Sequence, residues 1–221
     1  MTLISTSDDR PKKATLYYAV DPMCSWCWGF KPTWQVVYNA YASQTTLAVR
    51  YVMGGLAPDS DQPMPAEMQQ HLQHIWRQIQ RTIPGTEFNF DFWSNNIPRR
   101  STYPACRAVL AARSQSVQLE QAMLLAIQEA YYLQAKNPSD YSTLTELAKQ
   151  IGCDTDQFTQ ELTSRTIDQQ LKSEIHFARE LGAMGFPSLI LETATGSRHP
   201  MNVAYGNPQH ILEQIELLNV G

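Results

Sequence analysis

The chain has 221 residues, 43% of them apolar and 17% charged, with a formal net charge of −4 from 17 Lys and Arg against 21 Asp and Glu. That length and balance describe an ordinary globular protein, able to bury the core of one domain or of a small domain carrying an insertion. There is no basic block to hold a phosphate backbone and no continuous apolar run near the roughly 18 residues of a membrane span, so neither nucleic acid nor membrane is an expected partner.

Residues 1–13 lack the basic start and apolar run of a secretory signal, which makes a cytoplasmic location the expectation. A reducing compartment argues against two structural disulfides among the four cysteines. Cys106 and Cys153 then read as isolated, partly buried thiols.

A first strand is expected over 15–20, where Tyr and Val supply the aromatic and branched side chains a sheet favours. Helical periodicity follows over 26–41, with Pro32 expected to kink or restart it. The next strand, 46–53, is nearly continuous in apolar side chains (Leu47, Val49, Tyr51, Val52, Met53), as in a sheet buried on both faces. Strand, helix and strand in this order ask for a parallel crossover. After Gly54-Gly55 the strand signal disappears. Helices are expected over 65–79, 104–113, 119–134, 142–151 and 154–164, punctuated by Pro84-Gly85, Asn137-Pro138 and Gly152.

So long a helical stretch between strands reads as an inserted subdomain rather than a connection. A helix over 168–181 leads out of it, followed by Gly185-Phe186-Pro187, a strand over 188–191, a turn at 195–197, a short strand over 201–204 and a last helix over 208–218. The fold class is therefore α/β, a central mixed four-stranded sheet with a large all-helical insertion. It divides as 14–60, 61–167 and 168–221.

The chemistry of the chain concentrates in Cys24-Ser25-Trp26-Cys27, where the first strand gives way to a helix. Two thiols at this spacing read as a redox dithiol. The first lies near a helix N-terminus, whose free N–H groups and dipole favour a thiolate and where it should be at least partly exposed, and the second sits one turn on, within reach of a disulfide. A zinc site would need two further ligands at suitable spacing, and no second close cysteine pair supplies them.

Pro187 is the second candidate. It reads equally well as a cis proline that turns the backbone toward a partner peptide and as an ordinary trans proline opening a strand. In the first case Phe186 would offer backbone groups to an added substrate strand. Asp21 and Tyr18 are weaker candidates. The Asp21 carboxylate can cap the turn before Cys24, the favoured role, or relay a proton to the resolving thiol. Trp26 reads as a contact surface and Trp28 as packing at the domain seam. Glu67, His71 and His74 share a helical face, a spacing common on solvated helices, and no metal is expected there. Arg99, Arg100 and Arg107 read as salt-bridged surface residues, with an anion site as the lesser alternative.

Strand, dithiol, helix, strand, helical insertion and Gly185-Phe186-Pro187 before another strand together resemble the DsbA-like branch of the thioredoxin superfamily. The run Asp21-Pro22-Met23-Cys24-Ser25-Trp26-Cys27-Trp28-Gly29-Phe30 is similar to the cytoplasmic members related to FrnE. The resemblance implies a thioredoxin-like fold, with Cys24 as the attacking thiol, Cys27 as the resolving thiol and Pro187 as a cis proline facing them. Ser25, Trp26 and Phe186 would contact substrate.

It further implies a thiol-disulfide oxidoreductase or isomerase acting on protein or small-molecule thiols and disulfides. No cofactor is expected to be tightly bound, and glutathione is a candidate reductant or co-substrate. The chain departs from the family in Phe186, where Val or Thr is frequent, and in Ser25-Trp26, where the periplasmic oxidants have Pro-His, so a strongly oxidising character does not carry over. Two alternatives stand beside this reading. One is a glutathione-dependent transferase or isomerase of the kappa type, with Trp76, Phe88, Phe90, Phe92 and Trp93 either lining its pocket or forming plain core. The other is a redox-independent, chaperone-like binding module.

Overall fold

A computed structural model describes residues 13–42, 44 and 46–219. The N-terminal segment on which the signal-sequence reading rests lies outside the described residues, apart from Lys13. Four strands, β1 (Ala14–Val20), β2 (Leu47–Met53), β3 (Ser188–Glu192) and β4 (Arg198–Met201), form one sheet in the order β2-β1-β3-β4. β1 pairs parallel with β2 through the crossover helix α1 (Ser25–Tyr41), antiparallel with β3, and β3 is antiparallel to β4. The expected mixed sheet is therefore present.

The doubly buried strand is β1, which has a neighbour on each side. β2 is an edge, with Ala48 and Arg50 exposed, Val49 half-buried, and Leu47 at one end and Tyr51, Val52 and Met53 at the other buried. Its apolar run reflects packing at its two ends rather than burial along its length. Pro32 does not interrupt α1, because it lies on the exposed face, where solvent can satisfy the carbonyl that loses its partner. β4 starts earlier than expected. Thr193 N–H donates to the Ser197 carbonyl across a turn with Gly196 at φ +89°, so pairing resumes at once with Glu192 opposite Arg198. Pro200 is accommodated because this strand is an edge.

Between β2 and β3 run α2 (Ala66–Thr82), a short α3 (Phe92–Asn95) not expected from the sequence, α4 (Tyr103–Gln115), α5 (Val117–Tyr132), α6 (Tyr141–Gln150), α7 (Thr155–Leu162) and α8 (Arg165–Glu180). Side-chain caps from Ser116, Asp154 and Ser164 start α5, α7 and α8. The Ser164 cap places the beginning of α8 ahead of the expected division after residue 167, which falls in the first turn of the helix. α4 is buried continuously from Pro104 to Ala112, and its alanines at 105, 108, 111 and 112 let neighbouring helices approach closely.

One face of the sheet packs Tyr17, Ala19, Val52 and Ile190 against Ala178 of α8 and the following Leu181 and Ala183. The other face, with Leu16, Tyr18, Val20 and Leu191, packs against α1 and the last helix, α9 (Pro208–Asn219). Trp76, Phe88, Phe90, Phe92 and Trp93 stack on one another, with Trp76 fully buried, and so form core rather than the lining of a substrate pocket.

Candidate active site

β1 ends at Val20, and Asp21-Pro22-Met23 turns the chain into α1 with Cys24 as the N-cap. The Cys24 N–H donates to the Asp21 carbonyl at 3.0 Å, and the Cys24 carbonyl accepts from Trp28 N–H at 3.1 Å. Its side chain makes no cap bond to the first turn and instead reaches the segment before β3, donating to the Phe186 carbonyl at 3.3 Å. The Phe186-Pro187 bond is cis. Segments 162 residues apart therefore meet at the end of the sheet.

Two expectations change here. Cys24 is buried, at 6% exposure, because the Phe186 segment covers it. The Phe186 carbonyl is also engaged, since the Cys24 thiol already donates to it. Gly54 makes this approach feasible. A Cβ there would come within 2.2 Å of the Phe186 ring. Its N–H extends the β1–β2 ladder by donating to the Val20 carbonyl at 2.8 Å.

Cys27 lies on α1 and is fully buried. All four cysteines are unpaired thiols. Burial, and then the hydrogen bond and charge of Cys24, push the Cys27 thiol well above its ordinary range, partly opposed by the Asp21 backbone N–H. Cys27 is thus a thiol at neutral pH.

Asp21 is buried beneath the turn. One carboxylate oxygen accepts from Met23 N–H at 2.8 Å, and the other accepts from Leu56 N–H and the Thr102 hydroxyl, both at 2.7 Å, and from the Cys106 thiol at 3.5 Å. This carboxylate ties the turn before Cys24 to the segment after β2 and to the start of α4. Burial raises its pKa, against the pull of these donors. Cys106, expected to be an isolated thiol, is fully buried and belongs to this cluster. Nothing local in the sequence connects residue 21 with 102 and 106. Burial, then the Asp21 charge, push the Cys106 thiol well up.

Ser25 is buried, and its hydroxyl accepts from Trp76 Nε1 at 2.9 Å, an engagement with α2 that its place in the dithiol motif does not reveal. Trp26 is half-buried against Tyr205, with ring centroids 5.6 Å apart. Trp28 stacks on Tyr132 and donates to the Glu87 carbonyl, so it packs between α1 and the subdomain. Arg107 pairs with Asp59 through both terminal nitrogens, and Arg99 with Asp140, which fits the salt-bridge reading for these two, although Arg107, expected at the surface, is buried. Among the described residues, no group of three or more His, Cys, Asp or Glu side chains is placed to hold a metal.

Among solved structures, the chain is similar to a candidate protein disulfide isomerase from Nitrosomonas europaea, with a TM-score of 0.80, 27% identity, and coverage of 94% of this chain and 99% of that one. It is similar also to the cytosolic disulfide reductase DsbM from Pseudomonas aeruginosa, with a TM-score of 0.74, 25% identity, and coverage of 92% and 98%. DsbM has a further structure with GSH. Curated relatives include the ClpXP adapter protein SpxH of Halalkalibacterium halodurans, 26% identical over 97% of this chain and 71% of that protein. The SpxH of Bacillus subtilis is 26% identical over 81% and 59%, so the chain spans less than two thirds of that relative. The family model described as Thioredoxin matches residues 17–214. With the sheet order and the dithiol at the head of α1, this establishes that the chain belongs to the thioredoxin family.

Proposed function

We propose that this protein is a cytoplasmic thiol-disulfide oxidoreductase in which Cys24 attacks a substrate disulfide and Cys27 resolves the mixed disulfide. The observation that carries the reading is the meeting of the Cys24 thiol with the Phe186 carbonyl at 3.3 Å, at the head of a helix and beside Pro187. As the N-cap of α1, this thiol stands at the positive end of the helix dipole. A substrate approaching Phe186 would take over the carbonyl that Cys24 now occupies, freeing the sulfur as the substrate docks. Phe186 and Trp26 are the proposed contact residues, both partly exposed. Ser25 would act from behind, fixing the first turn through Trp76.

The neighbour described as a cytosolic disulfide reductase, also solved with GSH, supports a reducing direction and glutathione as reductant or co-substrate. Isomerase activity is the other outcome of the same chemistry. Reduction of insulin and exchange with glutathione disulfide test the reading. Turnover should be present in the wild type and lost in Cys24→Ser, and unchanged turnover in that variant would refute it.

The adapter relatives favour a second reading, in which the same surface binds a protein without redox turnover. Met184, 96% exposed next to the Phe186 segment, is an apolar contact available for it. Partner binding that survives alanine at both Cys24 and Cys27, without disulfide turnover in the wild type, would select this reading.

A further inference from the structure

A cavity of about 280 Å³ lies between α1 and α5, and neither Cys24 nor Phe186 lines it. Its inner wall is built from both strands of the crossover and from the two helices. Tyr18 of β1 and Tyr51 of β2 are partners in the parallel ladder and so sit side by side on one face of the sheet. Cys27 and Trp34, two turns apart on α1, and Leu124 and Gln128, one turn apart on α5, complete the wall, and all six side chains are buried. Lys31, Gln121 and Leu125 stand at the mouth, nearer solvent.

Much of this wall is aromatic. The Tyr18 ring lies 4.3 Å from Trp34 and 5.6 Å from Tyr51, and Trp34 meets Tyr51 edge-on at 5.8 Å, so the three rings hold one another in place. Water gains little from such a surface, whereas a flat apolar ring gains from covering it. Two polar groups in the wall have unused capacity. The Tyr51 oxygen accepts from Trp34 Nε1 at 2.9 Å, while its own O–H has no acceptor among the described residues. Burial keeps that phenol protonated, so it is a donor. Gln128 is 4% exposed, yet its side-chain amide makes no hydrogen bond among the described residues. A buried amide without a partner is costly, and the space that this one borders is the cavity.

Charge narrows the class of ligand. Among the described residues no carboxylate lines the cavity, and Lys31 is the one cation. Its ammonium is 3.6 Å from Glu129 and 4.8 Å from the Trp28 ring centre, and neither of these lines the cavity, so a neutral ligand fits better than an ion. Gln128 offers a donor and an acceptor side by side, the complement of an amide or lactam edge, and Tyr51 adds a donor for the ligand carbonyl. The volume lies just below the usual range for drug-sized ligands, roughly 300–1,000 Å³, which limits the occupant to a small ring system. We propose that this cavity is a binding site for a small, neutral, planar ligand with an amide edge, its ring against Tyr18, Trp34 and Tyr51 and its amide paired with Gln128 and Tyr51. Such an occupant also meets Cys27 without touching Cys24 or Phe186. Binding needs no thiol turnover, so the site stands or falls separately from the oxidoreductase reading.

The test is an NMR titration of the isotope-labelled, reduced protein with benzamide and with acetophenone, which has the same shape but a methyl group in place of the amide nitrogen. Benzamide should shift the Trp34 indole and Gln128 side-chain signals saturably, leave the Trp93 indole in the aromatic core unmoved, and bind about fivefold more tightly than acetophenone. Gln128→Leu should weaken benzamide by about tenfold and remove its advantage over acetophenone. Ala122→Phe, at a half-buried position in the lining, fills the cavity and should abolish binding of both probes, and it carries the test by itself if Gln128→Leu fails to fold. No saturable shift of the Trp34 indole, equal affinity for the two probes in the wild type, or benzamide binding unaltered in the folded variants would overturn the site.

Discussion

The two ends of α4 join the helical subdomain to the sheet by opposite means. At its N-terminus, Thr102 and Cys106 offer uncharged donors to the buried Asp21, and the positive end of the helix dipole points the same way. At its C-terminus, Arg113 pairs with Glu120 and Glu174, while Glu174 also accepts from Met53 N–H at the end of β2. Both ends bury a carboxylate. Only the end far from the dithiol neutralises it with a full positive charge. A cation beside Asp21 would also act on Cys27, which lies close enough to feel the Asp21 charge, and would shift the balance between thiol and thiolate. Neutral donors fix the turn before Cys24 without that effect.

The largest difference should come from breaking the charged end. Arg113→Met leaves Glu120 and Glu174 buried without their cation, and should cost about 3 kcal/mol or more in denaturant unfolding while leaving the rates of thiol exchange in the folded protein unchanged. Loss of exchange at full folding would break the comparison. Thr102→Val acts at the other end. It removes a donor to Asp21 and the acceptor of Ala57 N–H, for about 1–3 kcal/mol of stability, and here stopped-flow exchange rates should change as well, because the turn before Cys24 loosens.

The sequence reveals these two ends unequally. Cys24, Cys27 and Pro187 are legible because each belongs to a local pattern, a strand meeting a helix or a proline opening a strand. The strands and most helices are legible for the same reason, since periodicity, Gly and Pro act over a few residues. The Asp21–Thr102–Cys106 cluster and the Ser25–Trp76 bond are not, because they join segments with no shared period. The aromatic residues at 76, 88, 90, 92 and 93 read as a pocket lining or as core, and only their mutual stacking decides for core. Edge position explains the remaining differences, since an edge strand needs neither full burial, as β2 shows, nor freedom from proline, as β4 shows.

A smaller effect separates the ends by pH. Burial raises the Asp21 carboxyl above its ordinary 3.8, so the folded chain keeps this proton to higher pH than the unfolded chain does. Its contribution to stability is therefore greatest below the ordinary value and falls as pH rises through the folded one. Asp21→Asn should show a flatter dependence of unfolding free energy on pH across that acid window, and a curve parallel to wild type would contradict the assignment. The smallest effect belongs to the exposed Lys136–Glu146 pair, where Lys136→Ala should change stability by no more than about 0.5 kcal/mol. A larger loss would show that surface pairs, and not the two ends of α4, hold the subdomain together.

The measurement that bears most directly on Cys24 as the attacking thiol is mass mapping of the mixed disulfide trapped when reduced Cys27→Ser meets glutathione disulfide. The position of Cys24 at the head of α1, against the Phe186 carbonyl, predicts one glutathione per chain on Cys24, with Cys106 and Cys153 unmodified. Modification of Cys106 or Cys153 in preference to Cys24, or no trapped adduct at all, would contradict it.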